Sequence, residues 1–170
     1  MKKMMATILV IVICLGMVGC FPTGTDEKGD TNNGKTQDVY LGETAVNSDG
    51  VEFVVQSVKD TQKIGYTTTE NNFIIVTIKI SNNGKESWEQ NPNNCVLILD
   101  GAEYEYSSAT YSLDNSISAF TEINPGITKT MSIAFETPSK SSENSYSIKL
   151  SGYSLWSDDS VTIILKERTN

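Results

Sequence analysis

From residue 39 onward the apolar positions of this chain recur at every second residue, the period of strands whose two faces meet different surroundings. The clearest run is NNFIIVTIKISNNGK. There Ile74, Val76, Ile78 and Ile80 share one face, while Ile75, Thr77 and Lys79 share the other, which turns progressively toward water. Asn82-Asn83-Gly84-Lys85 ends the run, because Asn and Gly tolerate the positive φ of a sharp reversal. Before it, an opening strand spans Val39 to Ala45, Asn47-Ser48-Asp49-Gly50 makes a turn, and Val51 to Val58 forms the next strand. After it, Cys95 to Leu99 and Ala102 to Tyr106 flank Asp100-Gly101, a short hairpin signal. In that hairpin Tyr104 and Tyr106 share a face and Glu103 and Glu105 point to solvent. Met131-Ile133-Phe135, Tyr146-Ile148-Leu150 and Val161-Ile163-Leu165 supply three more alternating sets. About eight strands result and no amphipathic helix, which predicts an all-β fold of two antiparallel sheets packed face to face.

The first 19 residues follow another pattern. Met1-Lys2-Lys3 precedes an uncharged stretch from Met4 to Val18, the basic start and apolar core of an export leader. Counted through Phe21, the stretch approaches the roughly 20 apolar residues of a spanning helix, so an uncleaved anchor and plain secretion stay open as alternatives. Met17-Val18-Gly19-Cys20 resembles the lipobox of bacterial lipoproteins, with Met17 in place of the more usual leucine. That resemblance implies cleavage after Gly19 and a diacylglyceryl group on the Cys20 thiol. Two acyl chains make a durable tether, since each buried methylene contributes about 0.8 kcal/mol and one chain holds only marginally. The expected location is the outer face of the cell membrane of a Gram-positive bacterium.

Residues 20–38 then read as a lipidated cysteine and a polar linker, with residues 39–170 as the folded domain. FPTGTDEKGDTNNGKTQD cannot bury enough surface to offset its ordering entropy. As a flexible coil of 18 residues it holds the domain on the order of 23 Å from the membrane. Asp26, Asp30 and Asn32 lack the turn glycine and closing glutamate of a calcium loop.

Charge and cysteine count narrow the partners. With the leader gone, basic residues fall from 13 to 11 against 21 acidic ones, a net charge of about -10. No basic run offers the phosphate neutralisation that nucleic-acid binding needs, and an anionic lipid surface repels such a chain. Membrane attachment therefore falls to the lipid on Cys20. Only Cys95 remains as a free thiol in the domain, placed as a small hydrophobe at the head of Cys95-Val96-Leu97-Ile98-Leu99. The chain has no histidine, which removes the Ser-His-Asp arrangement and histidine-based zinc sites. Carboxylate catalysis stays formally open, yet adjacent Asp158 and Asp159 would point to opposite faces of a strand. Asp49, Asp100 and Asp158 are possible calcium ligands, but aspartate is common in turns for backbone reasons. We expect no cofactor, no metal and no catalytic residue.

The stretches LGETA, FIIVTIKISNNGK, LILDGAEYEY and INPGITKTMSIAFETP resemble the DUF4352 family of bacterial domains, related to the telokin-like or immunoprotective extracellular Ig-like fold. In the last of these, Pro125-Gly126 favours a type II turn and Pro138 closes a strand by removing a ladder donor. The resemblance implies an exported Ig-like β-sandwich and brings no catalytic residue with it.

Aromatic residues outside the alternating sets are the candidate ligand contacts. Trp88 lies in NGKESWEQNPNN, Tyr111 in the long stretch from Ser107 to Asn124, and Tyr153 and Trp156 in SGYSLWSDD. Clustered at one end of the sandwich, they would stack on a sugar or anchor a protein. The competing reading makes each a plug for the open end of the core. Ser107 to Asn124 is long for a connection, with Ser116 to Glu122 able to pair at an edge. The working function is a non-catalytic binding module for a protein or cell-envelope ligand. Its rivals are an accessory subunit of a membrane or envelope complex and a carboxylate-dependent hydrolase.

Overall fold

Burial follows the period of two read from the sequence: Ile74, Val76, Ile78 and Ile80 are all buried, while Thr77 and Lys79 between them are half-buried. The computed structural model describes residues 38–138, 145–152 and 159–169, and these form a β-sandwich. The leader with Gly19 and Cys20, the linker through Gln37, and Tyr153, Trp156 and Asp158 lie outside the described residues.

Among the described residues there are eleven strands: β1 (Val39–Tyr40), β2 (Thr44–Val46), β3 (Val51–Ile64), β4 (Thr67–Asn82), β5 (Trp88–Gln90), β6 (Cys95–Leu99), β7 (Ala102–Tyr104), β8 (Thr121–Ile123), β9 (Thr128–Thr137), β10 (Tyr146–Ser151) and β11 (Ser160–Ile164). One sheet has the order β1-β11-β10-β6-β7, the other β2-β3-β4-β9, and β5 and β8 make a separate ribbon. All pairings between these strands are antiparallel except β1 with β11, where Val39 lies opposite Ile163. Facing residues from the two sheets, among them Phe53, Val76, Phe135, Leu97 and Ile148, are fully buried in one core.

The expected opening strand is two strands in different sheets. Glu43 N–H donates to Tyr40 C=O at 2.9 Å and Gly42 takes φ 85°, so the chain turns between β1 and β2 and crosses the sandwich. The hairpin of β3 and β4 also runs well past Val58, to a tip at Gly65 with φ 56°. Its register shifts between Val55 and Ser57 and again between Thr61 and Lys63. Outer residues such as Lys59, Asp60, Gln62 and Thr67 are exposed. The two short turns match their sequence signals. Asp100 and Gly101 both take positive φ, 50° and 86°, as a two-residue hairpin turn of type I′ demands. Ile127 N–H donates to Asn124 C=O at 3.0 Å with Gly126 at φ 78°, a type II turn.

The stretch from Ser107 to Asn124 holds a 3₁₀ turn (Ser108–Ser112) and β8. Thr110, fully buried, ties the turn to β9: its hydroxyl donates to Ala134 C=O at 3.2 Å and accepts Ala134 N–H at 2.9 Å. Ala109 then packs with Ile64, Phe73 and Ala134 on the outer face of the β3–β4 sheet, a second small apolar cluster.

Candidate functional site

Trp88 is 2% exposed, so it is not an open stacking surface; it is a plug of the core. Its ring meets Phe53 edge-on with centroids 5.8 Å apart, and its indole N–H donates to Gln90 Oε1 at 3.2 Å. Gln90, fully buried, completes the support by donating from Nε2 to Ser151 C=O at 3.0 Å and to Cys95 Sγ at 3.3 Å. Gly152 leaves the space: a Cβ there would stand 1.9 Å from Trp88 Cζ2. The sequence marked Trp88 as a ligand contact because β5 sits in a polar stretch of short, unpatterned residues. Pairing with β8, Trp88 opposite Ile123, is what turns it inward.

Cys95 is buried at the same place. Desolvation pushes its thiol up to about 12, against a smaller opposing pull from the Gln90 hydrogen bond, so no thiolate is present near neutral pH.

Tyr111 is a surface residue, 52% exposed. Tyr106 packs edge-on against it, centroids 6.2 Å apart, and the two hydroxyls lie 3.4 Å from one another. That hydrogen bond, with some desolvation, raises the Tyr111 phenol above its ordinary pKa. The tip of the β3–β4 hairpin adjoins this pair: a Cβ on Gly65 would lie 3.1 Å from Ser112 Cβ. Tyr66, next to Gly65, is fully exposed. The structure thus gathers Tyr66, Tyr106 and Tyr111 around the hairpin tip. Trp88 does not join them, because it packs on Phe53 near the start of β3 and the tip lies about 36 Å further along that strand. Sequence reasoning passed over Tyr66 because its neighbours Thr67, Thr68 and Thr69 carry no burial pattern. Phe120, 71% exposed with φ 60°, also went unmarked.

Carboxylates take structural roles. Asp159 accepts the Ser48 N–H, and hydrogen bonds from Ser48 and Ser160 lower its pKa. Asp100 Oδ1 accepts Ser145 N–H at 2.9 Å. Glu43 holds Arg168 at 2.7 Å, and Arg168 stacks 4.5 Å over the Tyr40 ring. Among the described residues every buried polar side chain is an amide or a hydroxyl, and no group of three or more Cys, Asp or Glu is placed to hold a metal.

A family model described as a domain of unknown function, DUF4352, matches residues 40–161. The chain belongs to the DUF4352 family. Its match runs from β1 into β11, so the family domain is the sandwich itself. No curated protein matches the chain. Three solved structures share the DUF4352 chain's fold. The candidate lipoprotein ycdA of Bacillus subtilis is 16% identical, with a TM-score of 0.59 over 72% of this chain and 38% of that one. The yjhA protein of Bacillus subtilis is 15% identical, with a TM-score of 0.58 over 75% and 99% of the two chains. The secreted protein MPT63 of Mycobacterium tuberculosis is 14% identical, with a TM-score of 0.54 over 78% and 99%.

Proposed function

We propose that this protein is a lipoprotein of the outer face of the cell membrane, anchored by acyl chains on Cys20, whose sandwich binds a protein or cell-envelope ligand without turnover. The observation that carries the binding role is the tyrosine tip. Tyr66 is fully exposed at the end of a hairpin that extends beyond the core strands, and Tyr111 is half-exposed on the 3₁₀ turn beside that end. Neither is needed to fill the core, and tyrosine offers a large amphipathic surface at low conformational cost. A non-catalytic role accords with the absence of any buried carboxylate among the described residues and with the missing histidine. An extracytoplasmic place accords with the leader and with similar folds found in a candidate lipoprotein and a secreted protein.

Two experiments test this. Cys20→Ser should abolish labelling by radioactive palmitate and move the protein from the membrane fraction; normal processing with unchanged membrane retention refutes the anchor. Tyr66→Ser with Tyr111→Ser should reduce co-sedimentation with purified cell-wall material or capture by surface proteins of the parent bacterium at least about fivefold. Equal retention of wild type and double variant refutes the tip as the contact.

A further inference from the structure

Sheet edges carry unpaired N–H and C=O groups that invite another strand, and folded proteins ordinarily cover them. Residues 106–117 cover the free side of β9. Ser107 N–H donates to Ala134 C=O at 2.7 Å, Ile117 N–H to Ser132 C=O at 2.9 Å, and Ser132 N–H to Asn115 C=O at 2.8 Å. The free side of β2 has no such cover among the described residues. Asn47 N–H donates to Val51 C=O at 3.1 Å, which fixes the ladder. By its alternation Ala45 bonds Phe53, while the N–H and C=O of Thr44 and Val46 point away from β3. Nearby β11 has a stretch that the described residues also leave uncovered. Leu165 N–H donates to Tyr146 C=O at 2.9 Å, so Ser160 and Thr162 direct their groups away from β10, and β1 begins only opposite Ile163.

Between these edges lies a groove of about 580 Å³, within the range of ligand sites. Val39, Val46 and Val161 give it apolar surface, and its two charged lining residues, Asp38 and Asp159, are both acidic. Asp159 closes one end by accepting the Ser48 N–H. Asn47 supplies the independent sign of a ligand. It lines the groove and is 7% exposed; its Oδ1 accepts Val51 N–H at 2.8 Å, whereas its buried Nδ2 has no partner among the described residues. A buried amide donor left unpaired in a folded protein calls for an acceptor.

We propose that this groove takes one extended, Lys- or Arg-bearing peptide segment of a partner protein, which adds as a strand to the free edge of β2. Main-chain bonds to Thr44 and Val46 hold the segment, as in other strand additions, and the Asn47 amide donates to one of its carbonyls. Val46, 57% exposed, gives an apolar contact, and the Asp38 carboxylate meets the cation; Arg168, which donates to Asp38 C=O at 2.9 Å, has its own charge paired by Glu43. Charge selects the occupant: with two acidic lining residues and a net charge of -8, the site repels an acidic segment or a second copy of this chain. The inference rests on the reading of the domain as a binding module and names a partner class for it. The groove lies about 35 Å along β3 from the tyrosine tip, so the two sites can fail separately.

The test passes a pool of random heptapeptides, blocked at both ends, over immobilised full-length protein in detergent micelles at low salt, with bound peptides sequenced by mass spectrometry. The retained set should be rich in Lys and Arg and should alternate with Val, Ile or Thr. One enriched peptide, resynthesised with a fluorophore, should bind at least about tenfold more weakly to Val46→Pro, which lacks the outward N–H. It should bind several-fold more weakly to Asn47→Ser, whose hydroxyl keeps an acceptor for Val51 N–H but withdraws the amide donor. Tyr66→Ser should bind it as wild type does. N-methylation of alternate peptide amides, which cannot disturb the protein's folding, should abolish binding. Equal enrichment on wild type and Val46→Pro, or tight binding of the N-methylated peptide, overturns the proposal. So does a wild-type dimer in sedimentation that Val46→Lys dissociates, since the occupant is then a second copy.

Discussion

Truncating Trp88 to alanine separates a core plug from a surface platform. The ring is 2% exposed, packs on Phe53 and donates to Gln90 Oε1, whose residue is itself fully buried. Emptying such a site costs about 3–5 kcal/mol, and the stranded Gln90 acceptor adds about 1 kcal/mol. A loss of roughly 4–6 kcal/mol would consume much of the 5–15 kcal/mol typical of a folded domain. The assay is urea unfolding followed by far-UV circular dichroism. With a slope of about 1.5 kcal/mol per molar urea, the midpoint should fall by about 3 M. Trp88→Phe keeps an aromatic edge against Phe53 and loses the hydrogen bond with some volume, so its loss should be only about 1–2 kcal/mol. A surface platform would give a change within about 0.5 kcal/mol. If Trp88→Ala moves the midpoint by less than about 0.5 M at unchanged slope, the burial argument is wrong.

Asn82 is fully buried, donates from Nδ2 to Glu86 C=O at 2.8 Å and Ile123 C=O at 2.7 Å, and accepts Gly84 N–H at 3.0 Å. Asn82→Ala should therefore cost about 2–4 kcal/mol in the same unfolding assay, whereas a mere turn former would cost under about 1 kcal/mol. Cys95 should resist a thiol reagent in the native protein and react only at the rate of opening, because burial and a pKa pushed up to about 12 leave no accessible thiolate. Rapid native labelling would contradict that. The Glu43 carboxyl is held down to about 2, from 4.5, first by the Arg168 hydrogen bond and then by Tyr40 N–H. A lowered carboxylate pKa stabilises the fold fully above about pH 4.5, and the effect is lost as pH falls toward 2. The stability difference between wild type and Glu43→Gln should shrink through that window, and a pH-independent difference would show that the pair does not titrate as the geometry requires.

Legibility in the sequence tracked burial. Phe53, Val55, Ile78, Ile148 and Leu150 sit on strand stretches with one wet and one dry face, and alternation marks such stretches. Asp100-Gly101 and Pro125-Gly126 were legible for a different reason: each supplies backbone angles that its turn requires. The far half of the β3–β4 hairpin was not legible. Lys59, Asp60, Gln62 and the Thr67–Asn71 stretch are largely exposed on both faces, so nothing in the composition distinguishes a projecting ribbon from a loop. The tyrosine tip was hidden with it. Trp88 and Tyr111, read as one cluster, came apart along the length of β3.

By itself the sequence determined an all-β domain with a candidate lipid anchor before it, and chemistry without histidine. Each of these depends on residue type and local period alone. Only the tertiary structure decided that the opening strand divides between two sheets, that Trp88 turns inward on Gln90, and that the described residues leave the edges of β2 and β11 uncovered beside Asn47. Those facts arise from pairings between residues far apart in the chain. Asp159 against Ser48 and Trp88 against Ile123 are set by how whole sheets pack, and no local pattern encodes them.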